Sequence, residues 1–548
     1  MIRENLYGSA SWATPDDLRA AGLGKRGGLH FGFDPAGASP LWLSGDAPLI
    51  TCAGSGSGKG LTVIIPALLD WAGPLFVLDP KGENAAVTLH HQAELGKAAW
   101  CINPWGVYGE PPWFLPMHQV NPFSILRRDN PYLVAHCTLV MQMIIPEPAH
   151  ASESYWTLKP RELGSAVLLW QVMKEGSVHA ARLHHLLSAI FADPVLWEEI
   201  VKDLMAMPDM EVQRVIGEIE EKRKRAGGEF SGIMGTLFNA LSFIGDPALS
   251  RCLQGGDFTF DVLTGDAPAT VYLIVPGDLM KLYPAFIRLM VGVAMLTKGL
   301  KPSSKGVVFL LDEAGQLGTF DILQLAFSYK RGGGVRTWAF FQSIGQLIDL
   351  YGHAGAQAFL ESAQLRQFFG VNHFETARFV SDMLGVATVF HDDPLYQTPH
   401  FMQAMQTLIH GDGSAATYHQ GLSSLNMARQ QSIAQRHLKT PDEVLRLAPD
   451  RYLAFISGRV PDPFEGVRKP YLLRPDFAGA YLPNPEHPPS DRVRVAAGGE
   501  QALWPVWSHE VFPNLGHLPQ YQRGFMSYAA QKQQKPPQTR ARRLLEQA

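Results

Sequence analysis

Two hydrophobic textures alternate along the chain. From Pro48 to Thr51 an apolar run leads into CAGSGSGKG, and LTVIIPALLDW follows. This pattern predicts a strand, a glycine loop and a helix, with Pro66 kinking that helix. LFVLD (Leu75–Asp79) reads as a buried strand ending in DPKGE. Strand, loop, helix and strand in succession predict a parallel α/β sheet. Over 126–258 the strand-like runs give way to helical spacing, as in LGSAVLLWQVM, LHHLLSAIF and VLWEEIVKDLMAM. EVQRVIGEIEEKRKRAGG adds a charged amphipathic helix ending at Gly227. Strand signals return in ATVYLIVP (269–276), GVVFLLDEAG (306–315), VRTWAFFQ (335–342) and QFFGV (367–371). Between them PAFIRLMVGVAMLT predicts a helix, with Pro284 suited to its first turn.

The expected organisation is an α/β domain over 47–125 and 259–475, interrupted by an all-α domain over 126–258. Residues 1–46 read as lead-in strands packing on the α/β domain. Residues 476–548 read as a Pro-rich, basic tail, partly disordered from about 483 onward. Its end, QKQQKPPQTRARRLLEQA, sets five Lys/Arg against one Glu and reads as a solvated tail ahead of a nucleic-acid arm.

Composition narrows the classes. With 548 residues, 46% hydrophobic and 18% charged, the chain has ample length for several cores. The 52 Gly and 40 Pro show no Gly-X-Y period or short repeat, which removes collagen and solenoid readings. A net charge of −4 excludes a globally basic nucleic-acid coat, so any nucleic-acid contact is a local patch. Four separated cysteines argue against a disulfide scaffold and a structural zinc site, and fit a reducing cytosol. The N-terminus lacks a signal-peptide core. No run reaches the roughly 18 apolar residues of a membrane helix, so the expectation is a soluble, cytoplasmic chain.

The chemistry concentrates in three places. A phosphate loop needs glycines so that backbone N–H groups converge on phosphate oxygens, with a lysine and a helix N-terminus behind them. Gly54, Ser55, Gly56, Ser57, Gly58, Lys59 and Gly60 supply that loop. The strict pattern is broken twice: Ala53 replaces its first glycine, and Gly60 replaces the hydroxyl residue that binds Mg²⁺. Thr62 is a poor substitute, lying about 200° further around the helix. The second place is the strand end at Asp312-Glu313, where Asp312 would organise Mg²⁺ and Glu313 would polarise a water. Joined to a phosphate loop, this pair points to ATP hydrolysis. The third is KRGGGVR before a strand ending in Gln342. Gln342 is a candidate γ-phosphate sensor or water-orienting group. Arg331 and Arg336 are candidates for a finger reaching a neighbour's nucleotide.

Other constellations read as ordinary structure. His90-His91, His184-His185 and His391-Asp392-Asp393 lack metal-ligand spacing. Lys222-Arg223-Lys224-Arg225 follows Glu218, Glu220 and Glu221, so helical pairing accounts for much of it, with a DNA or substrate contact as the rival. The tryptophans between Trp42 and Trp105 read as core.

The motifs YGSASWAT, GSGSGKGLTVIIPALL, LDPKGENAAVT, INPWG, VNPF, VYLIVPGDL, YPAFIRLM, LLDEAGQLG, KRGGGVRTWAFFQSIGQL and FFGVNHFETARFVSDMLG occur in this order. Across residues 7–475 the chain resembles the coupling ATPases of type IV secretion and bacterial conjugation, in whose phosphate loop Gly60 is usual. The resemblance implies a RecA-like P-loop motor, ATP and Mg²⁺ as its ligands, and a homo-hexameric ring. It also implies delivery of a relaxase–DNA complex or an effector protein to the components of a secretion channel, with non-specific DNA contact. On that family's motifs, Lys59, Glu313, Gln342 and Arg331 are catalytic and Asp312 serves the metal. Most members begin with membrane helices, whereas the matching region here starts at Tyr7. Either the anchor is naturally absent or this chain lacks it; attachment through a separate membrane partner at the cytoplasmic face of the inner membrane is one route. Two rivals are a non-catalytic nucleotide-binding receptor and a DNA pump of the chromosome-partitioning type. The retained Asp312-Glu313 pair and Gln342 count against the first. The motifs around DPKGE and FFGVNHFETARFVSDMLG count against the second.

Overall fold

The computed structural model describes residues 8–147, 154–328, 330–391, 394–410, 416, 419, 422–423, 432–497, 500–509 and 516–528. Its centre is an eleven-stranded sheet ordered β2-β1-β13-β12-β9-β3-β8-β7-β4-β6-β5. The strands are β1 (Leu29–Phe33), β2 (Pro40–Leu43), β3 (Leu49–Ala53), β4 (Leu75–Asp79), β5 (Ala98–Ile102), β6 (Ala269–Ile274), β7 (Val307–Leu311), β8 (Val335–Phe341) and β9 (Leu365–Phe369), with β12 (Arg451–Ile456) and β13 (Phe464–Val467). The run from β9 to β5 is parallel. On the other flank β12, β13, β1 and β2 pair antiparallel. The lead-in strands are thus an edge of the main sheet. A separate hairpin joins β10 (Val386–His391) to β11 (Ser432–His437).

Successive strand residues point to opposite faces, and both faces are covered. Ile50, Cys52, Phe76 and Leu78 enter one core with the helices. Leu49, Ala53, Leu75 and Val77 enter another with Val63, Ile64 and Leu68. This two-sided burial explains why the strands read as continuous apolar runs.

Between Leu133 and Cys252 the ordered elements are helical: Leu133–Ile144, Ser154–Glu175, Ala180–Ala192, Pro194–Met205, Met210–Arg225, Gly227–Ala240 and Pro247–Cys252, with a 3₁₀ turn at Ser242–Gly245. Three starts are fixed by aspartate caps. Asp193, Asp209 and Asp246 each accept two backbone N–H groups of the following turn. The helix Pro284–Leu300, buried from Phe286 to Lys298, joins this layer to the sheet core.

Two expectations are corrected. Pro66 does not kink a continuous α-helix. Gly60–Ile64 forms a wide π-type turn, and the α-helix begins afterwards at Ile65–Asp70 with Pro66 in its first turn. The expected disorder from 483 is also wrong over much of its length. β14 (Arg492–Ala497), β15 (Glu500–His509) and β16 (Phe525–Tyr528) form a three-stranded antiparallel sheet. Val493, Val495 and Trp504 share a core with Ile65, Leu69, Val87, Tyr471 and Tyr481. Beyond them, Gln520 accepts from the Ala99 N–H (3.0 Å) and donates to the Lys97 carbonyl (3.1 Å), satisfying the exposed side of β5. The basic run at the chain end lies outside the described residues.

Candidate nucleotide site

The candidate residues come from three strand ends that the parallel register brings together. β3 leads into the phosphate loop, β7 into Asp312-Glu313 and β8 into Gln342. Open α/β sheets place ligands at this carboxyl edge.

The loop has the geometry its glycines allow. Gly56 and Gly58 hold φ of +72° and +78°, in the left-handed region. Gly54 lies so close to Gly370 that a Cβ would meet its carbonyl oxygen at 2.4 Å. One cation braces the loop from behind. Arg468, nearly fully buried, donates to the Ser57 carbonyl (2.9 Å) and to Thr62 Oγ1 (3.0 Å). Its guanidinium lies 3.8 Å from the Phe369 ring centroid. Thr62 Oγ1 in turn donates to the Gly58 carbonyl at 2.8 Å. Sequence reasoning misses Arg468, because a lone arginine 408 positions beyond Gly60 (468 − 60) carries no local signal.

Lys59 ion-pairs with Asp312 at 3.0 Å and with Glu313. Burial pulls the Lys59 ammonium down in pKa, but the two carboxylates outweigh it and hold it above its ordinary value. For Asp312 burial dominates, and its carboxyl is pushed up despite Lys59. Gln342 Nε2 donates to Glu313 Oε2 at 2.9 Å. Lys59, Asp312, Glu313 and Gln342 therefore form one connected group.

Glu313 is held in the left-handed region, with φ 58° and ψ 44°. A non-glycine residue there costs about 1–3 kcal/mol, the kind of strain that clusters at functional sites. The turn after it is packed tightly. A Cβ at Gly315 would lie 2.2 Å from the side chain of Gln346, whose Oε1 accepts from the Gln342 N–H at 3.0 Å. Gly315 and Gln346 thus fix where Gln342 leaves its strand.

DPKGE forms the opposite wall. Asp79, at the end of β4, is fully buried and accepts from the Ala85 N–H (2.8 Å), the Lys81 N–H (3.4 Å) and Asn84 Nδ2 (3.4 Å). Burial raises its carboxyl to about 7. Glu83 starts the next helix and faces Gly60: a Cβ at Gly60 would lie 3.4 Å from Glu83 Oε2.

The two finger candidates have different fates. Arg336 is a correction. It is buried at the amino end of β8 and donates to the Ala47 (3.2 Å) and Leu43 (3.0 Å) carbonyls, so it cannot reach a neighbour. Arg331 falls in the 3₁₀ turn Lys330–Gly333, and its side chain lies outside the described residues. His90 is buried beside Tyr521, and His91 contacts Glu94 and the Leu69 carbonyl. His391 ends β10, while Asp392 and Asp393 lie outside the described residues.

Among the described residues no group of three or more His, Cys, Asp or Glu could hold a metal alone. Mg²⁺ takes one or two carboxylates and completes its shell with water and substrate phosphates. Asp312 beside the phosphate loop, with an open glycine position at 60, fits such an ion. No helix among the described residues is long and apolar enough to cross a membrane.

The chain is similar to known conjugal transfer and coupling proteins. The chain is 25% identical to the conjugal transfer protein TraG of Escherichia coli, over 90% of this chain and 80% of TraG. It is 24% identical to the type IV secretion system-coupling protein VirD4 of Bartonella quintana, over 84% of this chain and 72% of VirD4. Its fold matches that of the plasmid coupling protein TrwB, solved with ADP and Mg²⁺, with a TM-score of 0.55 and 15% identity over 84% of this chain and 93% of TrwB. The architecture is thus a RecA-like α/β fold. Residues 11–478 match the family described as type IV secretory system conjugative DNA transfer, and the chain belongs to that family.

Proposed function

We propose that this protein is an ATP-hydrolysing coupling protein. It recruits relaxase–DNA complexes or effector proteins and delivers them to the channel of a type IV secretion or conjugation system. The observation that carries the reading is the convergence of Lys59, Asp312, Glu313 and Gln342 from three strand ends.

Each residue has a defined task. Lys59 exchanges its carboxylate partners for β/γ-phosphate oxygens when ATP enters. Gly54–Gly60 present backbone N–H groups to the phosphates. Asp312 organises Mg²⁺, which when bound neutralises charge developing on the phosphates. Glu313, released from Lys59, orients and polarises the attacking water, and Gln342 holds the Glu313 carboxylate in place. Arg331 acts in trans across the subunit boundary of a homo-hexamer, adding positive charge to the transition state. DNA passes by phosphate contacts, without sequence preference and with strong salt dependence. The ring works at the cytoplasmic face of the inner membrane.

The test is ATP turnover by the purified protein with and without single-stranded DNA, beside Glu313→Gln. Stimulated turnover that disappears in the variant is expected. A wild-type protein that binds ATP but never turns it over, even with DNA and a relaxase or effector present, would reduce the reading to a receptor.

A further inference from the structure

The phosphate loop lacks the hydroxyl that ordinarily faces the metal, and the structure shows what stands opposite the gap. Thr62, the nearest hydroxyl, is already engaged: it donates to the Gly58 carbonyl and accepts from Arg468. Asp79 is also engaged, its two oxygens taking the Ala85 and Lys81 N–H groups and the Asn84 amide. Glu83 differs. Its Oε1 accepts from Asn484 Nδ2 at 2.7 Å, and both carboxylate oxygens face the position where a residue-60 side chain would begin, Oε2 at 3.4 Å and Oε1 at 3.6 Å. The residue is only partly buried. A Cβ at position 60 would only touch this carboxylate, at 3.4 Å, an ordinary contact, so Glu83 stands beside the place where the usual serine or threonine would sit.

We infer that Glu83 supplies the oxygen that Gly60 lacks, acting with Asp312 as the second carboxylate of the Mg²⁺ site once nucleotide phosphates are present. The inference rests on the nucleotide reading above. It accounts for the tight construction of the DPKGE turn. Buried Asp79 pins the start of the helix Glu83–Thr88, Gly82 turns into it at φ +73°, and Asn484 fixes the carboxylate from the C-terminal segment. Asn484 is itself buried and also donates to the Tyr471 hydroxyl at 3.1 Å. Glu83 sits beside the ligand space, and Asp79 and Asn484 are positioning residues that act through it.

The test uses the full chain and Glu83→Gln, an isostere that keeps an acceptor for Asn484. ADP affinity is measured by calorimetry in EDTA and in Mg²⁺, and Mn²⁺ binding to the ADP complex is followed by electron paramagnetic resonance. Glu83→Gln is expected to match wild type in EDTA within about twofold. Its metal-dependent gain in ADP affinity, and its Mn²⁺ affinity, should fall about 10- to 100-fold. Adding Gly60→Ser to Glu83→Gln should recover much of the Mn²⁺ affinity by restoring a hydroxyl. Unchanged Mn²⁺ binding in Glu83→Gln, or equal loss of ADP affinity in EDTA, would overturn the assignment. A double variant that stays at the single-variant level would overturn the claim that Glu83 stands in for the hydroxyl. Wild-type protein that binds no ADP in either condition would instead sink the nucleotide reading, and this inference with it.

Discussion

Cations at the two ends of the parallel sheet keep different company. At the carboxyl end Lys59 faces two carboxylates, partly open to solvent. At the amino end three buried cations take backbone carbonyls. Arg336 takes those of Leu43 and Ala47, Lys97 that of Trp71, and Lys298 those of Lys301 and Pro302. A carbonyl has no charge to give up, and a buried cation on carbonyls has nowhere to go. Such a group ties loops to the sheet. A lysine on carboxylates can be exchanged onto phosphate, leaving the carboxylates free for metal and water. The chemistry of the partner separates a working cation from a structural one: Arg468, at the carboxyl end but held on the Ser57 carbonyl, braces the loop as Arg336 braces the other end.

The comparison is sharpened most by Glu313→Gln. Turnover should fall about 10²- to 10⁴-fold, the range for losing a general base. The thermal midpoint should hold or rise, because one of two adjacent carboxylate charges is gone. A variant that lost its fold together with its activity would show that the carboxyl end is structural too.

Arg336→Met probes the other end. It leaves the Leu43 and Ala47 carbonyls without their donor inside the core. A loss of about 2–3 kcal/mol in urea unfolding is expected, as for buried polar groups left unpaired. Turnover per folded molecule should stay close to wild type. Lost turnover at unchanged stability would break the comparison.

Arg336 and Gln342 also mark how much the sequence could tell. Both lie in VRTWAFFQ, both are polar groups flanking an apolar strand, and both read as candidate site residues. Only the strand's direction in the sheet decides that Gln342 reaches Glu313 while Arg336 is spent on the lead-in strands. The apolar runs of β3, β4, β6, β7 and β8 are legible because two-sided burial leaves nearly unbroken hydrophobic strings. The loop, Lys59, Asp312 and Glu313 are legible because spacing along one strand–loop unit is local. Arg468 and the Glu83–Asn484 hydrogen bond are not, since each joins segments some 400 residues apart. The sheet β14-β15-β16 is hidden in the sequence because its strands carry Arg492, Arg494, Glu500 and Pro505, which weaken any alternation.

A third arrangement sits on the antiparallel flank, where Arg474 donates to neutral His30. His30 Nε2 accepts from Arg474 Nη1 at 2.7 Å, and Nδ1 donates to the Leu41 carbonyl at 3.1 Å. Burial, and then the Arg474 charge, hold the imidazole down at about 3. The sign follows from that depression: the fold accepts only neutral His30, while the unfolded chain protonates it near 6.5. Its contribution is whole above pH ~6.5 and is lost as pH falls towards ~3, about 2 kcal/mol by pH ~5. Glutamine reproduces both hydrogen bonds without titrating, so His30→Gln should flatten the fall in thermal midpoint between about pH 8 and 5. Equal slopes in the two proteins would mean that His30 is charged or exposed in the fold.

The smallest effects belong to the helical insertion, where charge meets charge in water. Lys224 pairs with Glu220 at 3.0 Å and Arg225 with Glu221 at 2.6 Å, one helical turn apart, with the two basic side chains 69% and 80% exposed. Solvent already satisfies such groups, so replacing either cation by alanine should shift stability by no more than about 0.5 kcal/mol. This is the inverse of the Lys59 case: the same carboxylate partner, but no burial to make the pairing matter. The remaining question is whether the run serves DNA. If it does, Lys224→Ala and Arg225→Ala together should lower the log–log salt slope of single-stranded DNA binding by about 1.4, near 0.7 for each phosphate no longer neutralised. An unchanged slope would leave the run as a solvated face. A lowered slope would make the insertion a second place where a cation is held by an exchangeable partner, with phosphate replacing carboxylate as it does at Lys59.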